Sequence, residues 1–242
     1  MVSIQCLGTG DAFGSGGRLN ACYLVQSSNL HLLVDCGASS LIALKRFNID
    51  PGVIDLIIIS HLHGDHFAGI PFVIRESQVV ARRTKPLTII GPIGTEARIN
   101  EALQVLFPSP KPLATSFSLT YHELPPGITF QWSGISIETF HAVHSFGTNP
   151  LSLRITIEEK IIGYTGDTEW NENVPKVAEG TDVFLCEGYT LEREMRNHLN
   201  IQHLISSSIT TKRIVLVHMR EEVLIDQNVP FEKAFDGMTL SL

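Results

Sequence analysis

Long apolar runs, paired cysteines and positive charge are all scarce in this sequence of 242 residues. No apolar stretch approaches the roughly 20 residues that a membrane-spanning helix needs, and the longest candidate, residues 53–60, contains Asp55. The first residues lack a basic region followed by a long apolar one, so we expect no signal peptide. Apolar residues make up 43% of the chain without low-complexity tracts, which excludes a disordered chain and indicates a globular core.

The deficit of positive charge bears on the class of partner. Lys and Arg total 18 against 25 Asp and Glu, a formal charge of −7, whereas nucleic-acid-binding proteins usually carry a basic surface. The one dense basic stretch, residues 82–85, is predicted to be a solvated turn. The cysteines form no Cys-x-x-Cys pair, which favours buried thiols and a cytoplasmic location over disulfides. They are Cys6, Cys22, Cys36 and Cys186.

Strand-like and helix-like segments alternate along the chain, which indicates an α/β fold. Residues 56–60 form a short apolar run typical of a strand buried on both faces, and residues 66–80 show helical spacing. The second half begins with several strands, and residues 237–242 are predicted to add an edge strand. Prolines at 108, 110 and 112 interrupt the chain. Because the candidate site draws residues from both sides of them, we predict one domain spanning residues 1–242.

Histidine is abundant, with ten residues, three of which fall within residues 60–66. This segment follows the predicted buried strand and leads into the next helix. At the end of a strand, His61 and His63 point the same way, so both can reach one metal ion. Asp65 and His66 lie on the turn into the helix and can reach a second ion nearby. Imidazole and carboxylate ligands favour Zn²⁺, with Mn²⁺ and Fe as alternatives.

Three further candidate ligands each follow a predicted strand, at the strand ends where α/β folds usually place a site. They are His144, Asp167 and His218. A carboxylate such as Asp167 can bridge two cations with one oxygen to each. His141 is a rival to His144. Asp35 is interpreted either as a carboxylate that holds a ligand histidine by its other ring nitrogen or as an ordinary turn residue.

The pattern His-x-His-x-Asp-His, followed in order by His144, Asp167 and His218, resembles the metallo-β-lactamase superfamily. Residues 7–10, 33–37, 166–168 and 216–219 resemble the branch that holds ribonuclease Z, the tRNA 3′-processing endonuclease, and its phosphodiesterase relatives. The resemblance covers nearly the whole chain and implies a four-layer αββα sandwich with a dinuclear metal site. It implies that His61, His63 and His144 hold one metal, that Asp65, His66 and His218 hold the other, and that Asp167 and a hydroxide bridge them.

The resemblance also implies catalytic roles. In this branch a histidine at the position of His198 donates a proton to the leaving oxygen, but a small hydroxyl residue usually follows it where this chain has Leu199. Glu187 falls where the branch has an acidic residue that orients this histidine. Asp65 can orient the hydroxide or take its proton. The alternative for His198 is an exposed residue at a helix start.

These expectations define a metal-dependent hydrolase, and a phosphodiesterase is favoured because an alkoxide leaving group needs an acid, whereas a thioester hardly does. Between His144 and Asp167, residues 145–166 leave no room for the tRNA-clamping arm of long ribonuclease Z enzymes. Together with the net negative charge, this favours a small or cyclic phosphodiester over RNA. A tRNA 3′-processing ribonuclease, a thioester or lactone hydrolase and a non-hydrolytic member of the fold are the alternatives. Relatives are often dimers, so the resemblance allows a homodimer.

Overall fold

The computed structural model describes residues 1–109 and 116–242, so Pro110 and Pro112 of the proline stretch lie outside the described residues. The described part of the first half contains six strands and four α-helices. The strands are β1 (Ser3–Gly8), β2 (Cys22–Gln26), β3 (His31–Val34), β4 (Leu56–Ile58), β5 (Leu87–Pro92) and β6 (Leu119–Leu124), and the helices are α1 (Ser40–Arg46), α2 (Gly64–Phe67), α3 (Ile70–Val79) and α4 (Thr95–Leu106).

The second half begins with a run of antiparallel strands and ends with short helices between parallel strands. Its strands are β7 (Thr129–Trp132), β8 (Ile135–His141), β9 (Leu151–Ile157), β10 (Lys160–Tyr164), β11 (Val183–Glu187), β12 (Ile214–Val217), β13 (Glu232–Lys233) and β14 (Thr239–Ser241), and its helices are α5 (Asn173–Ala178), α6 (Ile201–Ser206) and α7 (Glu221–Ile225).

The strands form two seven-stranded mixed sheets. The first sheet has the order β14-β1-β2-β3-β4-β5-β6, and the second has the order β13-β12-β11-β10-β9-β8-β7. Strand β14 pairs antiparallel with β1, with Ile4 opposite Leu240, so the predicted edge strand near the end of the sequence is confirmed. The end of the second half is therefore hydrogen-bonded to the first strand of the first half.

Strand β4 illustrates how the apolar pattern sets the layers. Leu56 and Ile58 belong to the core between the two sheets, whereas Ile57 and Ile59 pack with the helices that cover the first sheet. A third cluster packs α5, α6 and α7 on the outer face of the second sheet. The arrangement is the αββα sandwich that the sequence predicts. No helix within the described ranges has the length and apolar composition needed to cross a bilayer.

The basic stretch at residues 82–85 differs from its prediction. Arg83 is buried, and its guanidinium donates hydrogen bonds to the carbonyl oxygens of Pro51, Gly52 and Ile54 at 3.2, 3.2 and 2.6 Å. Burial lowers the pKa of Arg83, which nevertheless remains a cation that satisfies backbone acceptors. The prediction of a solvated turn is therefore wrong at this residue, because a local charge pattern does not indicate which carbonyl groups lack partners.

The predicted helix over residues 66–80 is divided into α2 and α3. Gly69 lies between them and has to be glycine, because a Cβ atom there would lie only 2.2 Å from the carbonyl oxygen of Gly37. Pro71 then occupies the first turn of α3, where a missing N–H costs no helical hydrogen bond. The four cysteines are buried free thiols, in agreement with the prediction.

Candidate metal centre

The histidine-rich segment lies where β4 ends, and the other candidate ligands follow strands of the second sheet. His144 follows β8, Asp167 follows β10 and His218 follows β12. The turn before Asp167 requires glycine, because Gly166 has a φ of +57° and a Cβ there would lie 3.0 Å from the Cβ of Ser60. Elements of both sheets thus deliver their side chains to one region.

One group of side chains comprises His61, His63, His144 and Asp167. His63 Nδ1 lies 3.1 Å from His61 Nε2 and 2.9 Å from His144 Nε2. Asp167 Oδ2 lies 3.9 Å from His61 Nε2 and 3.8 Å from His144 Nε2. Nitrogen ligands 2.0–2.1 Å from a tetrahedral Zn²⁺ stand roughly 3.3 Å apart, so these three nitrogen atoms are spaced for one cation. The structure places His144 in this group, whereas His141 is exposed and lies outside it.

A second group comprises Asp65, His66, Asp167 and His218. Asp65 Oδ2 lies 3.1 Å from His66 Nε2 and 3.2 Å from His218 Nε2. Asp167 Oδ1 lies 3.3 Å from His66 Nε2, and its Oδ2 lies 3.4 Å from His218 Nε2. Asp167 therefore belongs to both groups, which is the position a bridging carboxylate would take.

Hydrogen bonds to the outer ring nitrogens orient three of these imidazoles. His66 Nδ1 lies 2.7 Å from Asp35 Oδ2, and His144 Nδ1 donates to the carbonyl oxygen of Asn197 at 2.6 Å. His61 Nδ1 lies 3.1 Å from the hydroxyl oxygen of Ser60. Because these Nδ1 atoms are engaged, each Nε2 is left to face the inside of the cluster. Asp35 is thus the carboxylate that holds a candidate ligand, rather than an ordinary turn residue.

Charge and burial at the cluster fit a cation. His66 Nε2 and Asp167 Oδ1 are buried, and although they lie 3.3 Å apart, neither makes a contact with hydrogen-bond geometry among the residues described. Burial holds the pKa of His61 well below its usual value, so this ring is neutral, as a metal ligand must be. Burial opposes the charged form of His218, but Asp167 and Asp65 outweigh it and raise its pKa to about 10. The buried carboxylates therefore require positive charge, which a divalent cation bound by these residues would supply.

The structure brings His198 and Glu187 into this cluster, where they form a third group of ligand-type side chains with Asp167 and His218. His198 Nδ1 donates to Glu187 Oε1 at 2.6 Å, and Glu187 is fully buried. The other carboxylate oxygen of Glu187 accepts hydrogen bonds from the backbone N–H groups of Thr168 and Leu199 at 2.9 and 3.2 Å. Burial opposes the charged form of His198, but Glu187 outweighs it and raises the pKa of the imidazole. His198 is mostly buried, which disfavours the alternative of an exposed helix-start residue.

A cleft of about 260 Å³ opens onto both groups and is lined by two aromatic residues that the sequence did not indicate. Phe13 is 87% exposed on the loop after β1, where Asp11 accepts a hydrogen bond from its backbone N–H. Tyr189 lies beyond β11 and stacks on His198. Their positions depend on contacts between distant segments, so no local motif reveals them.

The fold and the cluster define a metal-dependent hydrolase of the metallo-β-lactamase superfamily. YhfI from Bacillus subtilis, a metallo-β-lactamase fold protein, superposes with a TM-score of 0.79 at 21% identity, over 99% of this chain and 98% of that one. Human tRNase Z, short form, superposes with a TM-score of 0.79 at 22% identity, over 99% and 98% of the two chains.

Sequence comparison adds a relative and a family. Ribonuclease Z of Agathobacter rectalis is 28% identical to this chain, and the match covers 80% of this chain and 77% of that protein. The family model described as "Anti-Pycsar protein Apyc1" matches residues 2–236. The chain belongs to this family.

Proposed function

We propose that the protein is a phosphodiesterase that uses two divalent metal ions to hydrolyse a small or cyclic phosphodiester. The observation that carries the proposal is the imidazole of His198, held by Glu187 beside the two ligand groups. A general acid at this position protonates an alkoxide as it leaves phosphorus. A thioester hydrolase has little use for such an acid, because a thiolate leaves readily.

The proposed ligands follow the two groups of side chains. Two Zn²⁺ ions, or Mn²⁺ or Fe in their place, would supply a water of lowered pKa and neutralise phosphate charge. Asp65 is assigned to orient this water or take its proton. His198 gives its proton to the leaving oxygen, and Glu187 stabilises the imidazolium. His61, His63 and His144 would hold one ion, Asp65, His66 and His218 would hold the other, and Asp167 belongs to both groups.

The size and charge of the molecule support a small substrate. Residues 145–166 contain a short loop, β9 and β10, and therefore no extended arm that could clamp a tRNA. The cleft at the cluster holds about 260 Å³. The net charge of −7 opposes binding of a long polyanion, since nucleic-acid affinity depends on neutralising many phosphates.

Ribonuclease activity is a second candidate, and the name of the Agathobacter rectalis relative favours it. In that case the phosphodiester would be the linkage at the 3′ end of a precursor tRNA. The same groups would act on it, because the chemistry of the step is unchanged. The two candidates differ in the size of the substrate that reaches the cleft.

A turnover assay on the metal-replete protein tests these alternatives. The substrates are bis-p-nitrophenyl phosphate, a cyclic nucleotide, a precursor tRNA, a thioester and a lactone, and each is repeated with Asp167→Ala. We expect the protein to hydrolyse the aryl and cyclic phosphodiesters. In the variant we expect the rate to fall by a factor on the order of 1,000, the size of effect that loss of a transition-state contact causes. Turnover of the thioester or lactone alone would contradict the proposal. Cleavage of precursor tRNA but not of the cyclic nucleotide would establish the second candidate instead.

A further inference from the structure

The ring of Tyr189 lies flat against the imidazole of His198. The two ring centroids are 4.0 Å apart, and the planes are inclined by 22°. Tyr189 is only 6% exposed, although it lines the cleft that opens onto the candidate metal groups. Only Gly188 separates it from Glu187, the last residue of β11. The end of this strand therefore provides both the hydrogen bond to His198 and the ring that stacks on it.

The backbone of Tyr189 is tied to the segments that carry the site. Its N–H donates to the carbonyl oxygen of Leu199 at 2.9 Å, and its carbonyl oxygen accepts from the N–H of Arg220 at 3.2 Å. Leu199 follows His198 directly, and Arg220 precedes α7 two residues after His218. The guanidinium carbon of Arg220 lies 5.8 Å from the centroid of the tyrosine ring. These hydrogen bonds fix the backbone of Tyr189 relative to the segments that carry His198 and His218.

His198 needs two constraints to hold its free nitrogen in one direction. The hydrogen bond to Glu187 at 2.6 Å fixes Nδ1, but one bonded atom leaves the plane of the imidazole free to tilt. The tyrosine ring supplies a flat surface that restricts this tilt. His144 contacts His198 only edge-on, with centroids 5.1 Å apart and planes at 73°. The ring of His218 is nearly parallel to His198, at 14°, but its centroid is 5.8 Å away, so Tyr189 provides the closest flat surface.

Building on the phosphodiesterase assignment, we propose that Tyr189 is a positioning residue that sets the plane of His198 and so aims its Nε2 at the leaving oxygen of the substrate. As a water oxygen bonds to phosphorus and the bond from phosphorus to the leaving oxygen breaks, the Nε2 proton passes to that leaving oxygen. The water gives up one proton to Asp65, which passes it to solvent, and His198 recovers its proton from solvent. An acyclic diester gives a phosphomonoester and an alcohol, and a cyclic diester gives one phosphomonoester that carries the new hydroxyl group.

The dependence of rate on the leaving group separates this role from a structural one. A p-nitrophenolate leaves without a proton, whereas an unsubstituted phenolate needs one far more. The assay therefore uses methyl aryl phosphodiesters that range from p-nitrophenol to phenol as leaving group, on the metal-replete protein. Tyr189→Leu and Tyr189→Met each remove the ring and keep apolar volume, so the test does not depend on one variant folding. Tyr189→Phe keeps the ring.

We expect kcat for the phenyl ester to fall 10- to 100-fold in the variants without the ring, and kcat for the nitrophenyl ester to change less than about 3-fold, as loss of acid catalysis requires. Tyr189→Phe should restore the ratio of the two rates. Adding Tyr189→Leu to His198→Ala should cause no further loss of kcat, because both changes remove the same contribution, acid catalysis by His198. Phe130→Leu is the matched control, since Phe130 packs on His122 with centroids 5.0 Å apart, outside the candidate ligand groups.

An equal loss on both esters in Tyr189→Leu, or no recovery in Tyr189→Phe, would overturn the positioning role while leaving the phosphodiesterase assignment intact. A fall in kcat confined to the phenyl ester in Phe130→Leu would overturn the positioning role as well. Removal of a ring that does not stack on His198 would then have the same effect as removal of the Tyr189 ring. A wild-type protein that hydrolyses none of the esters would contradict the phosphodiesterase assignment itself and the inference with it.

Discussion

At the scale of single residues, Asp35 shows how much of the site depends on a side chain that would touch neither metal nor substrate. One of its oxygens accepts the backbone N–H of Ser60 at 2.7 Å. The other lies within 2.8 Å of the Ser60 hydroxyl, His66 Nδ1 and the Tyr164 hydroxyl. Both oxygens of this buried carboxylate therefore act only as acceptors.

We expect Asp35→Asn to weaken metal binding about 10- to 100-fold, as removal of a partner of a ligand histidine typically does. An amide has to present its NH₂ group to one of these donors, so stability should also fall by about 1–3 kcal/mol. Competition with a chromophoric chelator measures the affinity, and chemical denaturation measures the stability.

The control for this prediction is Asp55→Asn. Asp55 also accepts a backbone N–H, from His31 at 3.0 Å, and pairs with Lys85 rather than with a candidate ligand. Its replacement should lower stability without changing metal affinity. Unchanged affinity in Asp35→Asn, or an equal loss in both variants, would show that Asp35 does not act through His66.

At the scale of elements, the packing of residues 35–37 against α2 sets the position of Asp65 and His66. The N–H of Cys36 donates to the carbonyl oxygen of His66 at 2.7 Å. A Cβ atom at Gly37 would lie 2.0 Å from the carbonyl oxygen of Asp65, so any larger residue must displace the backbone that carries the candidate ligands.

We expect Gly37→Ala to lower kcat on the order of 100-fold, the effect of a displacement of about 1 Å in a catalytic group. Metal content measured by mass spectrometry should fall as well. Gly127→Ala is the comparison, because Gly127 has a φ of +84° and open space around its Cβ position. That variant should lose about 1 kcal/mol of stability from backbone strain and keep its activity. Wild-type activity and metal content in Gly37→Ala would refute the argument.

The elements that the sequence predicted are those with a strong local pattern. The apolar run at β4 and the histidine segment between β4 and α2 could both be located, because each pattern lies within a few consecutive residues. The short helices α5 and α7 could not, since helices of five or six residues are stable only through packing, here on the second sheet. The stacking of Tyr189 on His198 escaped prediction for the same reason, because it depends on contacts between separate segments.

At the scale of the whole molecule, the candidate site joins the two halves of the chain. His61, His63, Asp65 and His66 come from the end of the first sheet, and His144, Asp167 and His218 come from the second. The inter-sheet core and the pairing of β14 with β1 connect the same two halves. Unfolding of either half would therefore destroy the site, and we predict that residues 1–242 unfold as one domain.

Bound metal should accordingly stabilise the entire fold. At a free Zn²⁺ concentration 100 times the dissociation constant, each ion that binds to the folded state alone contributes about 2.7 kcal/mol. For a chain of this size that free energy corresponds to a rise in Tm of about 5–10 °C per ion. Scanning calorimetry with Zn²⁺ and with a chelator should show a single transition in both cases, shifted by at least this amount. Asp167→Ala should show no such shift, because it removes the carboxylate common to both groups. Two separate transitions would contradict the single domain. A wild-type Tm that does not respond to metal would contradict the site, because seven side chains from both sheets cannot bind cations tightly without stabilising the structure that holds them together.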